Sequence, residues 1–261
     1  MSEILIGTSG FSYDDWKGEF YPEDAARGEY LGYYADRFKT LELNFSYYKI
    51  PDAGQSGQML ERSGGRLEFV IKAFRGLTHE VSGSSIKEIL PLFVKGISPF
   101  VEENRLGAIL LQFPQAFHYT RDNRFYLKSL IEAMSPLPVA VEFRQREWLK
   151  ESVYKTLHDL GAAFVCVDEP LLPSLMPPVV ISTSDTGYIR FHGRNSKAWY
   201  GTDSRTRYDY LYSDEELREW TPRIRELADK TEKLFVFFNN HANAQAVTNA
   251  KMLINLLGMG L

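Results

Sequence analysis

Eight short hydrophobic runs recur along the chain and predict its strands. They fall near residues 3–7, 40–44, 68–73, 106–113, 138–143, 162–168, 187–192 and 234–239. Segments with a helical spacing of apolar positions lie between them, at 31–38, 85–103, 122–134, 151–160, 213–230 and about 241–257. Alternation of strands with helices is typical of parallel β/α units, and eight such strands can close a barrel. The pattern therefore predicts an α/β fold, with residues 1–261 forming a single (β/α)8 barrel of the TIM type.

Polar side chains end six of these hydrophobic runs. The six segments are LELN (41–44), FVIK (69–72), AILLQ (108–112), VAVEFR (139–144), YIRFH (188–192) and FVFFNN (235–240). An unpaired polar group inside a protein costs a few kcal/mol, so the interior of a strand normally stays apolar. In a parallel barrel the carboxyl ends of the strands meet at one mouth, where enzymes of this fold place their chemistry. The ends of these runs therefore predict a shared polar cavity at the mouth.

Alternation along a strand decides which of these side chains face each other. Residues two apart share a face, so three pairs are predicted to point into the mouth together. The pairs are Glu42 with Asn44, Glu142 with Arg144, and Arg190 with His192. Four other strands are predicted to add one group each, namely Lys72, Gln112, Asp168 and Asn239.

Two interpretations of this polar set remain open. In the first, the carboxylates and the cations only neutralise one another and plug the end of the barrel. In the second, they line a ligand site. Because buried ion pairs stabilise a fold poorly compared with apolar packing, we favour the ligand site.

An anion such as phosphate is the ligand fragment that the cationic residues favour. Arg144 and Arg190 can bind it through two hydrogen bonds, and Lys72 supplies a point charge. Barrels often hold phosphate after strands seven and eight, which here are followed by HGRN (192–195) and NNHAN (239–243). Arg194 and Asn195 are equally consistent with a solvated loop.

His192 is the predicted general acid or base, because histidine titrates near neutral pH and this one ends a strand. Glu42 and Glu142 are the competing catalytic carboxylates, and His79 is predicted to reach the mouth from the third strand. Glu42, Glu142 and Asp168 with His192 could also hold a divalent metal, but the chain has no H-x-H or H-E-x-x-H cluster. We therefore expect no cofactor and keep a metal as the alternative.

Aromatic residues are concentrated in loops, above all in residues 8–30 after the first strand. Trp16 and Tyr21 in this loop are predicted to stack on a sugar or a base. The alternative is that they cover the barrel end as apolar packing. A second long loop, residues 169–187, is predicted to replace the helix between strands six and seven.

Composition limits the partners and the compartment. The net charge of −4 gives no general attraction to nucleic acid or to an anionic membrane. No apolar stretch is long enough to span a bilayer, and the first residues do not match a secretory signal. Cys166 is the only cysteine, as expected in a reducing compartment. We therefore expect a cytoplasmic protein with no membrane partner.

Seven ordered motifs resemble one known family along essentially the whole chain. They are IGTSGFSYDDWKGEFYP (6–22), LELNFSYYKIP (41–51), FVIKAFRGLTH (69–79), LGAILLQFP (106–114), AVEFRQREW (140–148), YIRFHGR (188–194) and FVFFNNHANAQAVTNA (235–250). The chain resembles the domain of unknown function 72 family, the YecE-like proteins. The resemblance implies a TIM barrel and a biochemical activity that is not assigned.

The resemblance also implies which residues form the mouth. They are Glu42, Lys72, His79, Gln112, Glu142, Arg144, Asp168, Arg190, His192 and Asn239, with Trp16 and Tyr21 from the first loop. Two departures stand out. DAGQSGQML (52–60) lacks the Trp that members usually show, and the glycine expected early in the last helix is replaced around Ala244.

Three functions remain open. The first is an enzyme, of hydrolase or isomerase type, acting on a small phosphorylated or sugar-containing molecule. The second is a nucleic-acid-processing barrel, for which the local support is a basic cluster of Arg194, Lys197, Arg205 and Arg207, diluted by Asp203 and Asp209. The third is a binding protein without catalysis. The reaction, the substrate and the oligomeric state are not decided by the sequence.

Overall fold

Eight parallel strands form one sheet in the computed structural model, which describes residues 2–200 and 204–260. The strands are β1 Glu3–Thr8, β2 Thr40–Leu43, β3 Glu68–Lys72, β4 Leu106–Gln112, β5 Val139–Glu142, β6 Ala163–Asp168, β7 Thr186–Phe191 and β8 Lys233–Phe238. Their order is β1-β8-β7-β6-β5-β4-β3-β2, and a parallel bridge between Ser9 and Glu42 joins β1 to β2. The predicted barrel and all eight predicted strands are confirmed.

Helices lie around this barrel. They are α1 Tyr30–Ala35, α2 Phe45–Tyr48, α3 Ala53–Arg62, α4 Leu90–Glu102, α5 Arg121–Met134, α6 Glu151–Asp159, α7 Ser204–Arg207, α8 Asp214–Ala228 and α9 Gln245–Leu256. Two of them, α2 and α7, are single turns in the loops at its mouth. A π-helical segment, Ser85–Ile89, precedes α4. Ser213 and Glu216 form the capping box that starts α8. No described helix is long and apolar enough to cross a membrane.

Three features of the connections differ from the expectations or refine them. The helix α3 was not predicted, because AGQSGQMLER has few apolar positions to mark a buried face. The last helix begins at Gln245 rather than near 241, after Asn243 and Ala244 take up left-handed backbone angles (φ 49° and 57°). Residues 169–185 contain no helix or strand, so the predicted replacement of a helix there is confirmed.

The interior of the barrel changes from apolar to charged along its axis. Tyr188, Phe235 and Phe237 pack together inside, with ring centroids 5.5–6.1 Å apart. Arg190 lies two residues beyond Tyr188 on the same face of β7, towards the carboxyl end. The strand alternation thus stacks a charged layer on an aromatic one, and this charged layer forms the floor of the mouth.

Candidate active site at the barrel mouth

Arg190 is the centre of the charged layer. Its Nη2 donates to Glu42 Oε1 at 2.7 Å, and its Nη1 donates to Glu142 Oε2 at 2.6 Å. The second oxygen of Glu42 accepts a hydrogen bond from the Tyr188 hydroxyl at 2.7 Å. All three charged side chains are buried. One guanidinium therefore links the two predicted catalytic carboxylates from β2 and β5.

Arg144 forms the next layer towards solvent. Its Nε lies 2.7 Å from Glu142 Oε1, and its Nη1 donates to Glu169 Oε2 at 2.9 Å. Burial alone would raise the pKa of Glu142, but Arg190 and Arg144 outweigh burial and hold that pKa well below its usual range. Burial raises the pKa of Glu169 to about 7, against the opposing effect of Arg144. Glu142 is therefore a permanent anion, whereas Glu169 titrates near neutrality.

His192 lies against Glu142 and is fully buried. The Asn239 amide nitrogen donates to His192 Nδ1 at 3.2 Å, so the proton of the neutral ring lies on Nε2. This Nε2 is 3.3 Å from Glu142 Oε1, although the two atoms are not aligned as a hydrogen bond. Burial, with Arg144 nearby, lowers the pKa of His192 to about 3. The expectation that His192 titrates near neutral pH is therefore wrong.

The low pKa of His192 predicts acid sensitivity of the fold. Above about pH 6.5 His192 is uncharged in both the folded and the unfolded protein. Between pH 6.5 and about 3 it binds a proton in the unfolded protein but not in the folded one. The unfolding free energy should then fall by about 1.4 kcal/mol per pH unit for this group. Urea unfolding between roughly pH 6 and 4.5 gives the slope of the unfolding free energy against pH. We expect this slope to be smaller in His192→Gln, by the contribution of about one proton.

The exposed His158 supplies the matched control for this measurement, since His158→Gln should leave the slope unchanged. Burial also lowers the pKa of His79, to about 4, so part of the acid dependence will remain in the His192 variant. Equal slopes for the two variants would contradict the assignment.

Lys72 is the least neutralised cation of the mouth. Its Nζ donates to Gln112 Oε1 at 2.9 Å and lies 4.5 Å from the centre of the Tyr47 ring. It forms no ion pair with any carboxylate that the structure describes. Burial lowers the pKa of Lys72 to about 7, and Arg190 adds to the effect. Lys72 therefore exists in both protonation states at neutral pH.

A cavity of about 210 Å³ opens above Arg144, on the side of the mouth formed by β3 to β7. It is lined by His79, Gln112, Pro114, Gln115, Arg144, Leu175, Trp199, Tyr200, Arg207 and Tyr208. The predicted mouth residues His79, Gln112 and Arg144 therefore share one cavity. Glu42, Glu142, Arg190 and His192 lie together beneath it and do not line it.

The degree of exposure separates the two layers. The Arg190 side chain is only 2% exposed, whereas that of Arg144 keeps 11%. Arg190 also has both of its terminal nitrogens occupied by carboxylates. The predicted contact between Arg190 and a ligand anion is therefore not supported, and Arg144 is the arginine of this pair that faces the cavity.

Trp16 and Tyr21 lie in the core and not in the mouth. The Trp16 side chain is fully buried, and its Nε1 donates to the His241 carbonyl at 2.7 Å. Tyr21 stacks on Tyr30 with centroids 4.0 Å apart, and its hydroxyl donates to the Phe11 carbonyl. Both rings hold the first loop against the barrel, so the structure gives them the packing role that was the alternative.

Asp168 also lies apart from the mouth, because side chains alternate along β6. Its carboxylate accepts hydrogen bonds from Arg194, from the Tyr212 hydroxyl and from Trp220 Nε1, on the helix side of the strand. Glu169, one residue later, faces Arg144 instead. The two-residue period would have identified Glu169, since Val165 and Val167 share its face.

The predicted phosphate cradle after β7 and β8 is not formed. Arg194 pairs with the carboxylates of Asp168, Glu216 and Glu219. The close approach that Gly193 permits is to Tyr210, whose Cβ would lie 2.8 Å from a side chain placed there. The Asn240 amide nitrogen donates to the Tyr210 carbonyl and to Asn249 Oδ1, so it is already occupied within the chain.

Metal and nucleic-acid sites receive no positive support. No described group of three or more His, Cys, Asp or Glu side chains is arranged to hold a metal ion. Of the basic cluster after β7, Arg194 is already paired, and Lys197 is exposed. Asp203 and the Arg205 side chain lie outside the described residues.

The strand order and the polar carboxyl-end mouth define an α/β barrel of the TIM type. The chain belongs to the family described as protein of unknown function DUF72, whose model matches residues 5–260. The UPF0759 protein YunF of Bacillus subtilis (strain 168) is 31% identical, over 97% of this chain and 94% of that protein.

Two solved structures of the same family share this architecture. The protein from Thermotoga maritima MSB8 is 40% identical and has a TM-score of 0.90, with 98% of this chain and 99% of that one covered. The protein from Enterococcus faecalis V583 is 24% identical and has a TM-score of 0.85, covering 99% and 96% of the two chains. The first of these structures supports both the family and the barrel, and the second supports the barrel fold.

Proposed function

We propose that this protein is an enzyme that acts on a small phosphorylated or sugar-containing molecule bound at the barrel mouth. The observation that carries the proposal is the cavity above Arg144, where cationic, amide and aromatic side chains converge. Ligand sites of barrels occur at this end of the strands, and such sites combine an apolar wall with a few placed polar groups.

Arg144 supplies the main contact to the anion. It uses Nε and Nη1 for Glu142 and Glu169, which leaves Nη2 for a ligand. After burial, the nearby Lys72 and Arg144 are the next causes that lower the pKa of His79. His79 is therefore neutral at neutral pH, and Lys72 and Arg144 supply the positive charge that a bound phosphate would offset.

The aromatic and amide residues of the cavity suit the sugar part of a sugar phosphate. Trp199, Tyr200 and Tyr208 offer aromatic faces, and the rings of sugars pack well on such surfaces. Gln112 and Gln115 place amide groups beside them, which can pair with hydroxyls. A sugar phosphate fits both halves of the cavity.

Lys72 is the residue that we assign to proton transfer. A catalytic acid or base works best with a pKa near the operating pH, and the pKa of Lys72 is about 7. Lys72 is also only partly buried, unlike His192. In this assignment Glu42, Glu142 and His192 position the mouth from below, and the reaction is a hydrolysis or an isomerisation that needs a shuttled proton.

Titration calorimetry with ribose 5-phosphate, and with ribose as its uncharged partner, tests the proposal. We expect ribose 5-phosphate to bind more tightly than ribose, and Arg144→Gln to weaken its binding roughly 10- to 100-fold, because a charge-assisted hydrogen bond is lost. Arg218→Gln, at an exposed pair on α8, should change nothing.

Lys72→Met provides a second variant that does not disturb the carboxylate network. Binding of the phosphate should raise the pKa of Lys72, so the wild type should take up protons from the buffer on binding at neutral pH. This uptake should decrease in Lys72→Met, and the part that remains comes from Glu169, whose pKa is also about 7. Equal affinity of wild type and Arg144→Gln, with both folded, would refute the proposal.

The cysteine usage supports one compartment for the proposed activity. Cys166 is buried and unpaired, and burial raises the pKa of its thiol to about 12, so it is unreactive. We place the proposed enzyme in the cytoplasm, where a lone thiol stays reduced.

A further inference from the structure

Lys72 differs from a lysine that only stabilises the fold. It ends β3 at the mouth of the barrel, where the Gln112 side-chain oxygen, 2.9 Å away, is the one acceptor that its Nζ has among the described residues. This acceptor carries no charge. A cation removed from water is normally paired with a carboxylate, because burial of an unpaired charge is costly. Lys72 therefore lies in surroundings that disfavour its ammonium form.

A large fraction of Lys72 is uncharged at neutral pH as a result. Burial lowers the pKa of Lys72 to about 7, the positive charges of Arg190 and Arg144 add to this effect, and nearby carboxylates oppose it only in part. At pH 7 about half of the molecules then carry the uncharged amine, compared with roughly one in 2,500 for an ordinary lysine. The uncharged amine has the lone pair that attacks a carbonyl carbon, which the ammonium form lacks.

This amine borders the cavity above Arg144. Its hydrogen-bond partner Gln112 lines that cavity, together with His79 and Arg144. Lys72 is only partly buried, in contrast to Arg190 in the sealed layer below, which is 1% exposed. A carbonyl compound whose phosphate binds Arg144 can therefore present its carbonyl carbon to Nζ.

We infer that Lys72 forms a Schiff base with the carbonyl group of an aldehyde or ketone bound in this cavity. The amine nitrogen adds to the carbonyl carbon, its two protons pass to the carbonyl oxygen, and this oxygen leaves as water when the C=N bond forms. Once protonated, the imine nitrogen draws electrons from the adjacent carbon, which suits an isomerisation better than a hydrolysis. The inference rests on the proposed function, and it narrows the substrate to sugar phosphates whose open-chain form has a carbonyl group.

Reductive trapping with glycolaldehyde phosphate and sodium cyanoborohydride tests the inference on the unmodified protein. Cyanoborohydride reduces an imine to a stable secondary amine, and peptide mass spectrometry locates the modified lysine. We expect Lys72 to be labelled at least 10-fold faster than the exposed Lys95 of α4 at pH 7, because of the larger uncharged fraction of its amine. Exposure alone would favour Lys95, so equal rates, or no labelling of Lys72, would overturn the inference.

Gln112→Glu keeps Lys72 and gives its Nζ a carboxylate partner. The new negative charge should hold the amine as ammonium and slow the labelling of Lys72 at pH 7 about 10-fold. Gln58→Glu adds the same charge at an exposed position of α3 and should leave the rate unchanged. Equal rates of Lys72 labelling in the two folded variants would contradict the nucleophilic role.

Glycolaldehyde, which lacks the phosphate, separates this inference from the proposed function. Selective labelling of Lys72 by both compounds at equal rates would support the Schiff base and contradict the phosphate contact. Binding of ribose 5-phosphate in calorimetry, without labelling of Lys72 by either compound, would support the phosphate contact and overturn the Schiff base. We expect selective labelling of Lys72 by both compounds, with the phosphate reacting faster.

Discussion

Arg190→Met should destabilise the protein by about 3–5 kcal/mol, the cost of removing one partner from a buried ion pair. Here the removal leaves two carboxylates, Glu42 and Glu142, without their shared cation. Both are fully buried, so water cannot replace the lost charge. Arg144 still neutralises Glu142, but the one side-chain partner that Glu42 keeps among the described residues is the Tyr188 hydroxyl.

Urea unfolding of the wild type and the variant measures this loss. Arg218→Met removes an exposed ion pair with Asp214 on α8, and it should cost less than about 1 kcal/mol. In a triple variant, Glu42→Gln and Glu142→Gln accompany Arg190→Met, and this variant should recover much of the stability because it buries no unpaired charge. A loss below about 1 kcal/mol in the single variant would contradict the buried network.

Asp168→Asn should cost about 3 kcal/mol, although the shape of the side chain hardly changes. The carboxylate accepts hydrogen bonds from Arg194, from Tyr212 and from Trp220 at 2.6–2.9 Å. An amide turns one of its two acceptor oxygens into an NH₂ donor, which then faces another donor. Because Trp220 belongs to α8, this substitution loosens the contact between β6 and that helix.

The matched control is Asp159→Asn, which removes an exposed pair with Lys155 and should have little effect. Thermal or urea unfolding distinguishes the two substitutions. Ligand binding above Arg144 should persist in Asp168→Asn under conditions where it remains folded, since Asp168 lies outside that cavity. Similar stability of the two variants would show that Asp168 has no such structural role.

Strand periodicity was enough to predict the barrel and much of its mouth. Each predicted strand has an apolar run long enough to be distinguished. The alternation of side chains along β2, β5 and β7 brings Glu42, Glu142 and Arg190 together as expected. The prediction of Asp168 is wrong because the same alternation, continued one residue past β6, places Glu169 and not Asp168 beside Arg144.

Side-chain packing could not be predicted in the same way. The local sequence does not show that Trp16 is buried, because the partner of its Nε1 is the His241 carbonyl, 225 positions away. The sequence also does not show that Arg144 covers Arg190. This arrangement decides which arginine faces a ligand site and which belongs to a sealed network. The lowered pKa values of Lys72 and His192 result from burial, so the sequence alone could not predict them either.

The separation of the mouth into a sealed layer and an open one is the central feature of the site. Arg190 and its two carboxylates form a rigid floor, and Arg144 transmits that order to the cavity through Glu142. Such support from below is what holds a binding group within a fraction of an ångström of its working position.

The most direct test of this site is a crystal structure of the protein soaked with ribose 5-phosphate. We expect the phosphate within hydrogen-bonding distance of Arg144 Nη2, and the sugar ring against the aromatic wall that includes Trp199 and Tyr208. Phosphate bound only elsewhere on the surface, with the cavity above Arg144 holding water alone, would contradict the account.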